Sequence, residues 1–261
     1  MSVLAWIMLF SLLGGVLSVL VASMFLLLPN AMRSTLVPHL VSFAIGSMLG
    51  ATFLGLLPHA LEDIGSNDVH LLFLSILLGL LGFFLLEKMV LWRHCHINDC
   101  EAHGPEHDHG HGYKAAGMLV LVGDGVHNFV DGVLIAAAFM TDIHLGVVTS
   151  LAIAAHEIPQ EVGDFVILLH SGFSRAKALY YNILSSLTTI VGALLAYWSL
   201  GGVKSILPYV LAVAASSFIY IAVADLIPGL HKRVDVKATV QQVTLIIAGV
   251  VMIYFAHSML R

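Results

Sequence analysis

Long apolar runs divide the chain, and each is long enough to cross a bilayer as a helix. There are eight, at about residues 3–28, 36–60, 70–92, 116–140, 144–170, 178–200, 205–229 and 239–259; a crossing needs roughly 20 mostly apolar residues. The pattern predicts an all-α, polytopic membrane protein with eight transmembrane helices. The first run follows Met1 with no basic segment and no small-residue cleavage site, so we interpret it as a retained span and not a signal peptide.

Composition agrees with this prediction. The 261 residues are 59% hydrophobic and only 10% charged, and the mean hydropathy is +0.97, whereas soluble domains carry about 25% charged residues. A net charge of -5 without a basic block gives no reason to expect a nucleic-acid partner. Cys95 and Cys100 are too few for a disulfide scaffold. Histidine is over-represented, with 15 residues against 11 lysines and arginines, which draws attention to metal binding.

Lysine and arginine predict the orientation. Nine of the 11 lie in or beside the connections 1–2, 3–4, 5–6 and 7–8, whereas the other side has only Lys204 and Arg261. Because cytoplasmic connections retain positive charge, we expect both termini outside and the long 3–4 connection in the cytoplasm. The chain is then a multi-pass protein of the plasma membrane, or of the inner membrane in a bacterium.

A short internal match suggests a repeat. Leu56-Leu57-Pro58 ends the second span and Leu226-Ile227-Pro228 ends the seventh, in opposite directions. Some transporters are built as inverted repeats, and three spans on each side of a central pair fit that architecture. We therefore divide the chain into spans 1–3 (1–92), a cytoplasmic His-rich loop (93–115), spans 4 and 5 with the metal site (116–172), and spans 6–8 (173–261).

Polar residues interrupt the fourth and fifth spans. Those of span 4 occupy positions i, i+3, i+4 and i+7, and so share one side of a helix: Asp124, His127, Asn128 and Asp131. Span 5 places three on one face with two acids beside them: His156, Gln160 and Asp164, with Glu157 and Glu161. An unpaired carboxylate at mid-bilayer costs about 2.5–3.5 kcal/mol, and neither span contains lysine or arginine.

A bound cation is therefore the expected counter-charge. Imidazole and carboxylate ligands suit Zn²⁺, and also Fe²⁺, Mn²⁺ or Co²⁺. The lack of thiolates favours an exchangeable, transported ion over a tight structural zinc, and we expect no catalytic cofactor. A hydrogen-bonded network that only holds the bundle together is the alternative, although ionisable residues inside the membrane are functional by default.

Two segments resemble signatures of the ZIP family, the zinc- and iron-regulated-transporter-like proteins. His127-Asn128-Phe129-Val130-Asp131-Gly132 is similar to H-N-x-x-[DE]-G, and His156-Glu157-Ile158-Pro159-Gln160-Glu161-Val162-Gly163-Asp164 resembles the H-E-x-P-H-E-x-G-D motif of one branch. The resemblance implies eight spans arranged 3+2+3, a homodimer, and a metal-transport site on spans 4 and 5 that is binuclear in many members.

The resemblance also implies ligands. One metal is held by His127, Asp131, His156 and Gln160, and a second by Asn128, Asp131, Glu157 and Gln160. This chain departs from the family pattern at two positions. Gln160 replaces His or Glu, and Thr189 stands where many bacterial members have Glu. Both changes remove charge from the second site, so one metal and two metals both stay open.

Further candidates are ranked lower. Asp124 is a lower-ranked metal candidate, and so is Met48, although a methionine at mid-span more often packs than binds. Glu161 and Asp164 are candidates on a release path, and His59, with the nearby Glu62 and Asp63, is a candidate at an entrance at the outer end of span 2. Six histidines of the cytoplasmic loop form a metal-capturing tract: His94, His96, His103, His107, His109 and His111.

Capture by the loop makes a direct prediction. Deleting residues 94–111 should lower either zinc uptake or the affinity of the protein for Zn²⁺, because alternating histidines in a polar tract raise the local metal concentration. Uptake into vesicles and zinc binding by the purified protein measure the two effects. If both are unchanged, the loop has no capturing role.

These observations predict a divalent-metal importer. The chain has no G-x-x-x-x-G-K-[ST] nucleotide loop, so we expect transport without ATP hydrolysis. An intramembrane metallohydrolase is the alternative, since His156-Glu157 begins like H-E-x-x-H, but Gln160 occupies the position of the second histidine. A metal sensor that does not transport also stays open.

Overall fold

The computed structural model describes residues 1–64, 68–97, 110–232 and 235–260, and the regular structure in these ranges is entirely helical. Helix α1 covers Val3–Leu12, a π-helical turn at Leu13–Leu17 and Ser18–Phe25. Helix α2 covers Asn30–Gly50, a π-helical segment at Ala51–Leu56 and Leu57–Glu62. Helices α3 and α4 are Val69–Ile97 and Gly110–Thr141.

The second half continues in the same way. Helix α5 is Ile143–His170 and α6 is Arg175–Leu200. After a 3₁₀ turn at Lys204–Ile206, α7 covers Leu207–Tyr220, a π-helical segment at Ile221–Leu226 and Ile227–Leu230. Helix α8 is Val236–Leu260. Each predicted span falls on one of these helices, so the all-helical, polytopic fold is confirmed.

Within the described ranges, seven of these helices are long and apolar enough to cross a membrane. The eighth is α5, whose polar residues include His156, Glu157, Glu161 and Asp164. A purely hydropathic test therefore misses the helix that carries much of the candidate site. Its length of 28 residues still exceeds the roughly 20 needed for a crossing.

The predicted boundaries are wrong at several ends. Helix α2 begins at Asn30, six residues before the predicted start, and the predicted loop 93–115 is helical at both ends, because α3 continues to Ile97 and α4 begins at Gly110. Once a helix has formed, each added residue gains a hydrogen bond without a new nucleus. Polar residues outside the apolar run can therefore extend it.

Local sequence explains the sharp turn on either side of α5. The Asp142 carboxylate accepts hydrogen bonds from the backbone N–H groups of His144 and Leu145 at 2.8 and 3.0 Å, which caps the start of α5. Gly172 has φ +83° between α5 and α6, a conformation in which glycine carries no steric penalty. Ser174 then caps α6 through the N–H of Lys177. The short connection sets α5 and α6 antiparallel.

The predicted internal repeat has a structural counterpart. The π-helical segment Ala51–Leu56 corresponds residue by residue to Ile221–Leu226, a constant shift of 170 positions that also relates Pro58 to Pro228. Helix α2 packs on α8, and α7 packs on α3. The same shift relates the contact of Gly249 with Phe43 to that of Gly79 with Val213. The two halves are therefore similar in fold and opposite in direction.

Several helix pairs pack closely. Helix α2 packs on α8 and α3 on α7, α4 packs on α6 and α5, and α5 also packs on α1 and α2. Glycines set the closest approaches. A Cβ added to Gly46 would lie 2.0 Å from the carbonyl oxygen of Ile246, and one added to Gly132 would lie 1.9 Å from that of Thr189. Backbones in direct contact are typical of small-residue packing in membranes.

Candidate metal site

Four side chains from α4 and α5 bring their donor atoms together inside the bundle. They are His127, Asp131, His156 and Glu157, and one donor atom of each lies within 4.8 Å of all the others. Asp131, His156 and Glu157 are buried and His127 is half-buried. Each helix contributes one imidazole and one carboxylate, so the set contains two neutral ligands and two acids.

The spacing of these donors suits a tetrahedral ion. His127 Nε2 lies 3.2 Å from His156 Nε2 and 3.4 Å from Glu157 Oε1. Asp131 Oδ2 lies 3.2 Å from His156 Nε2 and 3.8 Å from His127 Nε2, and His156 Nε2 lies 3.7 Å from Glu157 Oε1. Ligands about 2.1 Å from a tetrahedral Zn²⁺ stand about 3.4 Å apart. The five distances bracket that value.

The tautomer of His156 also favours a metal ion at this cluster. Its Nδ1 lies 3.0 Å from the carbonyl oxygen of Ala152, and a carbonyl only accepts, so Nδ1 carries the proton. In the neutral ring, Nε2 then directs a lone pair at His127 and at the Asp131 carboxylate. Neither oxygen of Asp131 or Glu157 has a hydrogen-bond partner. Converging lone pairs repel one another unless a cation or a proton lies between them.

Two further predicted ligands are Asn128, assigned to the second metal, and Gln160, assigned to both metals. Asn128 is buried, but its Oδ1 accepts a hydrogen bond from Thr189 Oγ1 at 2.8 Å and its Nδ2 donates to Asp124 Oδ1 at 2.9 Å. Asn128 thus faces α6, whereas His127 and Asp131 face α5. The four polar residues of α4 thus form two adjacent rows along the helix, because each row joins residues four positions apart. Asp124 and Asn128 make one row, and His127 and Asp131 make the other. Gln160 is half-buried and lines a cavity.

The Thr189 hydrogen bond can be tested directly. Thr189→Val should lower the free energy of unfolding by about 1 kcal/mol, since interhelical hydrogen bonds in membrane proteins contribute about 0.6 on average and about 1.7 at most. Unfolding in detergent by circular dichroism gives the value. Thr244→Val is the control: its Oγ1 is exposed and bonds within its own helix, to Val240. Equal losses of unfolding free energy in the two variants would show that the hydrogen bond between α4 and α6 does not stabilise the protein.

The remaining predicted residues divide between cavity and core. Asp164 and Asp124 line the cavity, and Asp124 also accepts from Ser185 Oγ at 2.5 Å. Glu161 is fully buried with neither oxygen hydrogen-bonded, and Met48 is fully buried in the apolar core. His94, His96 and His111 lie on described helical backbone, and His103, His107 and His109 fall outside the described residues.

A cavity of about 290 Å³ leads from His127 towards the end of the bundle where α3 ends and α4 begins. Its polar lining includes two acids that the sequence analysis gave no role, Glu87 on α3 and Asp225 on α7. Tyr220 on α7 donates a hydrogen bond to Glu87. Both acids could have been singled out from the sequence, because a carboxylate inside a membrane span is costly and therefore marks a functional position. In the other direction, apolar side chains such as Leu134, Ile135 and Ile153 are fully buried.

The fold and the site define a helical, multi-pass membrane protein that holds a buried histidine–carboxylate cluster beside a polar cavity. Residues 92–257 match the ZIP Zinc transporter family. The chain belongs to this family, so the resemblance is confirmed.

Relatives agree with the assignment. Zinc transporter ZIP13 of Pongo abelii is 34% identical over 231 residues, 84% of this chain and 66% of that protein. Zinc transporter ZIP10 of Mus musculus is 37% identical over 54% of this chain, and Zinc transporter foi of Drosophila melanogaster is 42% identical over 44%. The match covers only 18% of the ZIP10 protein and 16% of foi, so this chain spans only part of the relatives that it matches.

Proposed function

We propose that this chain carries Zn²⁺ across a membrane through a single tetrahedral site made by His127, Asp131, His156 and Glu157. The supporting observation is the convergence of their four donor atoms at the spacing of a zinc coordination shell. Two carboxylates neutralise a divalent ion, so the loaded site has no net charge. The ion therefore passes the bilayer interior at a lower electrostatic cost than it would without these ligands.

Zinc is the proposed cargo because its tetrahedral preference fits the donor geometry and because the relatives are named zinc transporters. Imidazole and carboxylate also accept Fe²⁺, Mn²⁺ and Co²⁺, which belong in the same assay. One metal per chain fits better than two, since the oxygen of Asn128 is bonded to Thr189. The metallohydrolase alternative is not favoured, because the relatives are named zinc transporters.

Import into the cytoplasm is the proposed direction. The cavity below His127 opens toward the connection between α3 and α4, and the excess of lysine and arginine assigns that end to the cytoplasm. Four carboxyl groups line this route: Glu87, Asp124, Asp164 and Asp225. They supply exchangeable oxygen ligands for an ion that leaves the site. The plasma-membrane location and the homodimer stay predictions.

Zinc flux into liposomes tests the function. Purified protein is reconstituted with a zinc-sensitive dye inside the vesicles, and Zn²⁺ is added outside without ATP. We expect uptake well above that of protein-free vesicles, with Fe²⁺, Mn²⁺ and Co²⁺ measured in parallel. Uptake equal to that of protein-free vesicles for all four ions would contradict the proposal.

A further inference from the structure

Two histidines meet at the outer ends of α2 and α8, far along the bundle from the α3–α4 connection. The rings of His59 and His257 have centroids 5.5 Å apart and an interplanar angle of 82°. His127 and His156 of the central cluster have nearly the same geometry, 5.4 Å and 82°. Among the described residues, the His59–His257 pair thus repeats the edge-to-face arrangement of the central pair but lies outside the site described above.

The ring of His59 is oriented so that its Nε2 can bind a metal ion. Its Nδ1 lies 3.0 Å from the carbonyl oxygen of Gly55, so Nδ1 carries the proton and Nε2 presents a lone pair. His156 has the same arrangement with Ala152, also at 3.0 Å. A second hydrogen bond that fixes the tautomer and the ring orientation is typical of metal-binding histidines.

The backbone holds the two rings in place. Below them, α2 and α8 touch along a line of glycines: a Cβ added to Gly249 would lie 2.4 Å from the carbonyl oxygen of Phe43, and one added to Gly50 would lie 3.2 Å from Ile253. Such contact leaves little freedom for the helices to slide apart. Ordering two ligands in advance lowers the entropic cost of binding an ion.

We propose that His59 and His257 form a second metal site, which binds a borderline divalent transition metal such as Zn²⁺ through two imidazole nitrogens. Glu62, three residues after His59, adds a carboxylate to the same face of α2, and water completes the coordination. The four donors of the central cluster lie on α4 and α5, whereas this site lies on α2 and α8. The ion is therefore a resident that joins α2 to α8 and binds without the central ligands.

Zinc stoichiometry of the purified full-length protein tests this site. The measurement uses a background carrying His127→Ala and Asp131→Ala, which disables the central cluster, and the His-rich loop is the same in every variant. Adding His59→Ala or His257→Ala should each remove one Zn²⁺ per chain in equilibrium dialysis. Adding both should still remove only one, because the two residues share an ion. His70→Ala, an exposed histidine at the same end of the bundle, should remove none.

Other outcomes overturn the proposal. They are an unchanged stoichiometry in either single variant, a loss of two ions in the double variant, or an equal loss in His70→Ala. Because alanine at a half-buried position can disturb the helix pair, the same measurement is made with His59→Gln and His257→Gln. Each should again lose one Zn²⁺ and should also lose a zinc-dependent rise in Tm, which a bound ion gives to the folded state. Glutamine variants that keep both the ion and the rise in Tm would contradict the site.

Discussion

Replacing His156 with alanine should reduce zinc uptake into proteoliposomes by more than about 100-fold, since even the outer partners of metal ligands contribute 10–100-fold. His156 Nε2 lies 3.2 Å from both His127 Nε2 and Asp131 Oδ2, so it stands at the centre of the donor set. Its removal leaves two buried carboxylates with one imidazole. The initial rate of uptake at a zinc concentration below saturation measures the effect.

His170→Ala is a closely matched control. His170 is also on α5 and its Nδ1 also bonds to the carbonyl four residues earlier, at 2.7 Å from the oxygen of Val166, but it is exposed at the helix end. We expect its uptake to equal that of the unmodified protein. Comparable losses in the two variants would mean that α5 needs histidine for its structure, and would contradict a direct role of His156 in holding zinc.

Replacing Gly132 with alanine should be among the most disruptive single changes outside the ligands. The new Cβ would lie 1.9 Å from the carbonyl oxygen of Thr189 and 2.8 Å from the backbone nitrogen of Ala193. Both are backbone atoms, so no side chain can rotate away and α4 must separate from α6. We expect a loss of about 3 kcal/mol or more, at the upper end of overpacking effects.

Gly125→Ala separates this steric effect from helix propensity. Gly125 is on the same helix, and the nearest atoms to an added Cβ are side-chain atoms at 3.9 Å, which is ordinary contact. Alanine there should leave Tm unchanged or raise it slightly, because alanine favours helix more than glycine does. Thermal unfolding in detergent compares the two. A Gly132→Ala protein as stable as Gly125→Ala would contradict direct backbone contact between α4 and α6.

Much of the fold could be predicted because apolar runs of this length have few alternatives to a membrane helix. The ends could not, since extending α3 to Ile97 depends on helix propagation through polar residues that carry no hydropathic signal. Among the site residues, His127 and Asp131 were found because four-residue spacing places them on one face. Helix periodicity alone placed Glu157 beside the main face of α5, and only the family resemblance made it a ligand; it lies within the cluster.

Contacts between residues far apart in the chain could not be predicted from the sequence. Asn128 has the residue type of a ligand, but its oxygen is bonded to Thr189 on α6, and only the packing of α4 on α6 determines that choice. Glu87 and Asp225 lie on α3 and α7, and their joint position on the cavity depends on how those helices pack. His257 was assigned no role because nothing in its own segment indicates that His59 is its neighbour.

The shift of 170 positions between the two halves makes chemically unequal residues equivalent in position. His59 corresponds to Gly229, and His257 corresponds to Glu87. One end of the duplicated scaffold therefore presents paired imidazoles, and the related place at the other end presents a carboxylate bonded to Tyr220. The backbone of α2 and that of α7 make the same π-helical segment before each of these places. The difference between the two places therefore lies in their side chains, so a few substitutions can change one place while the helices stay as they are.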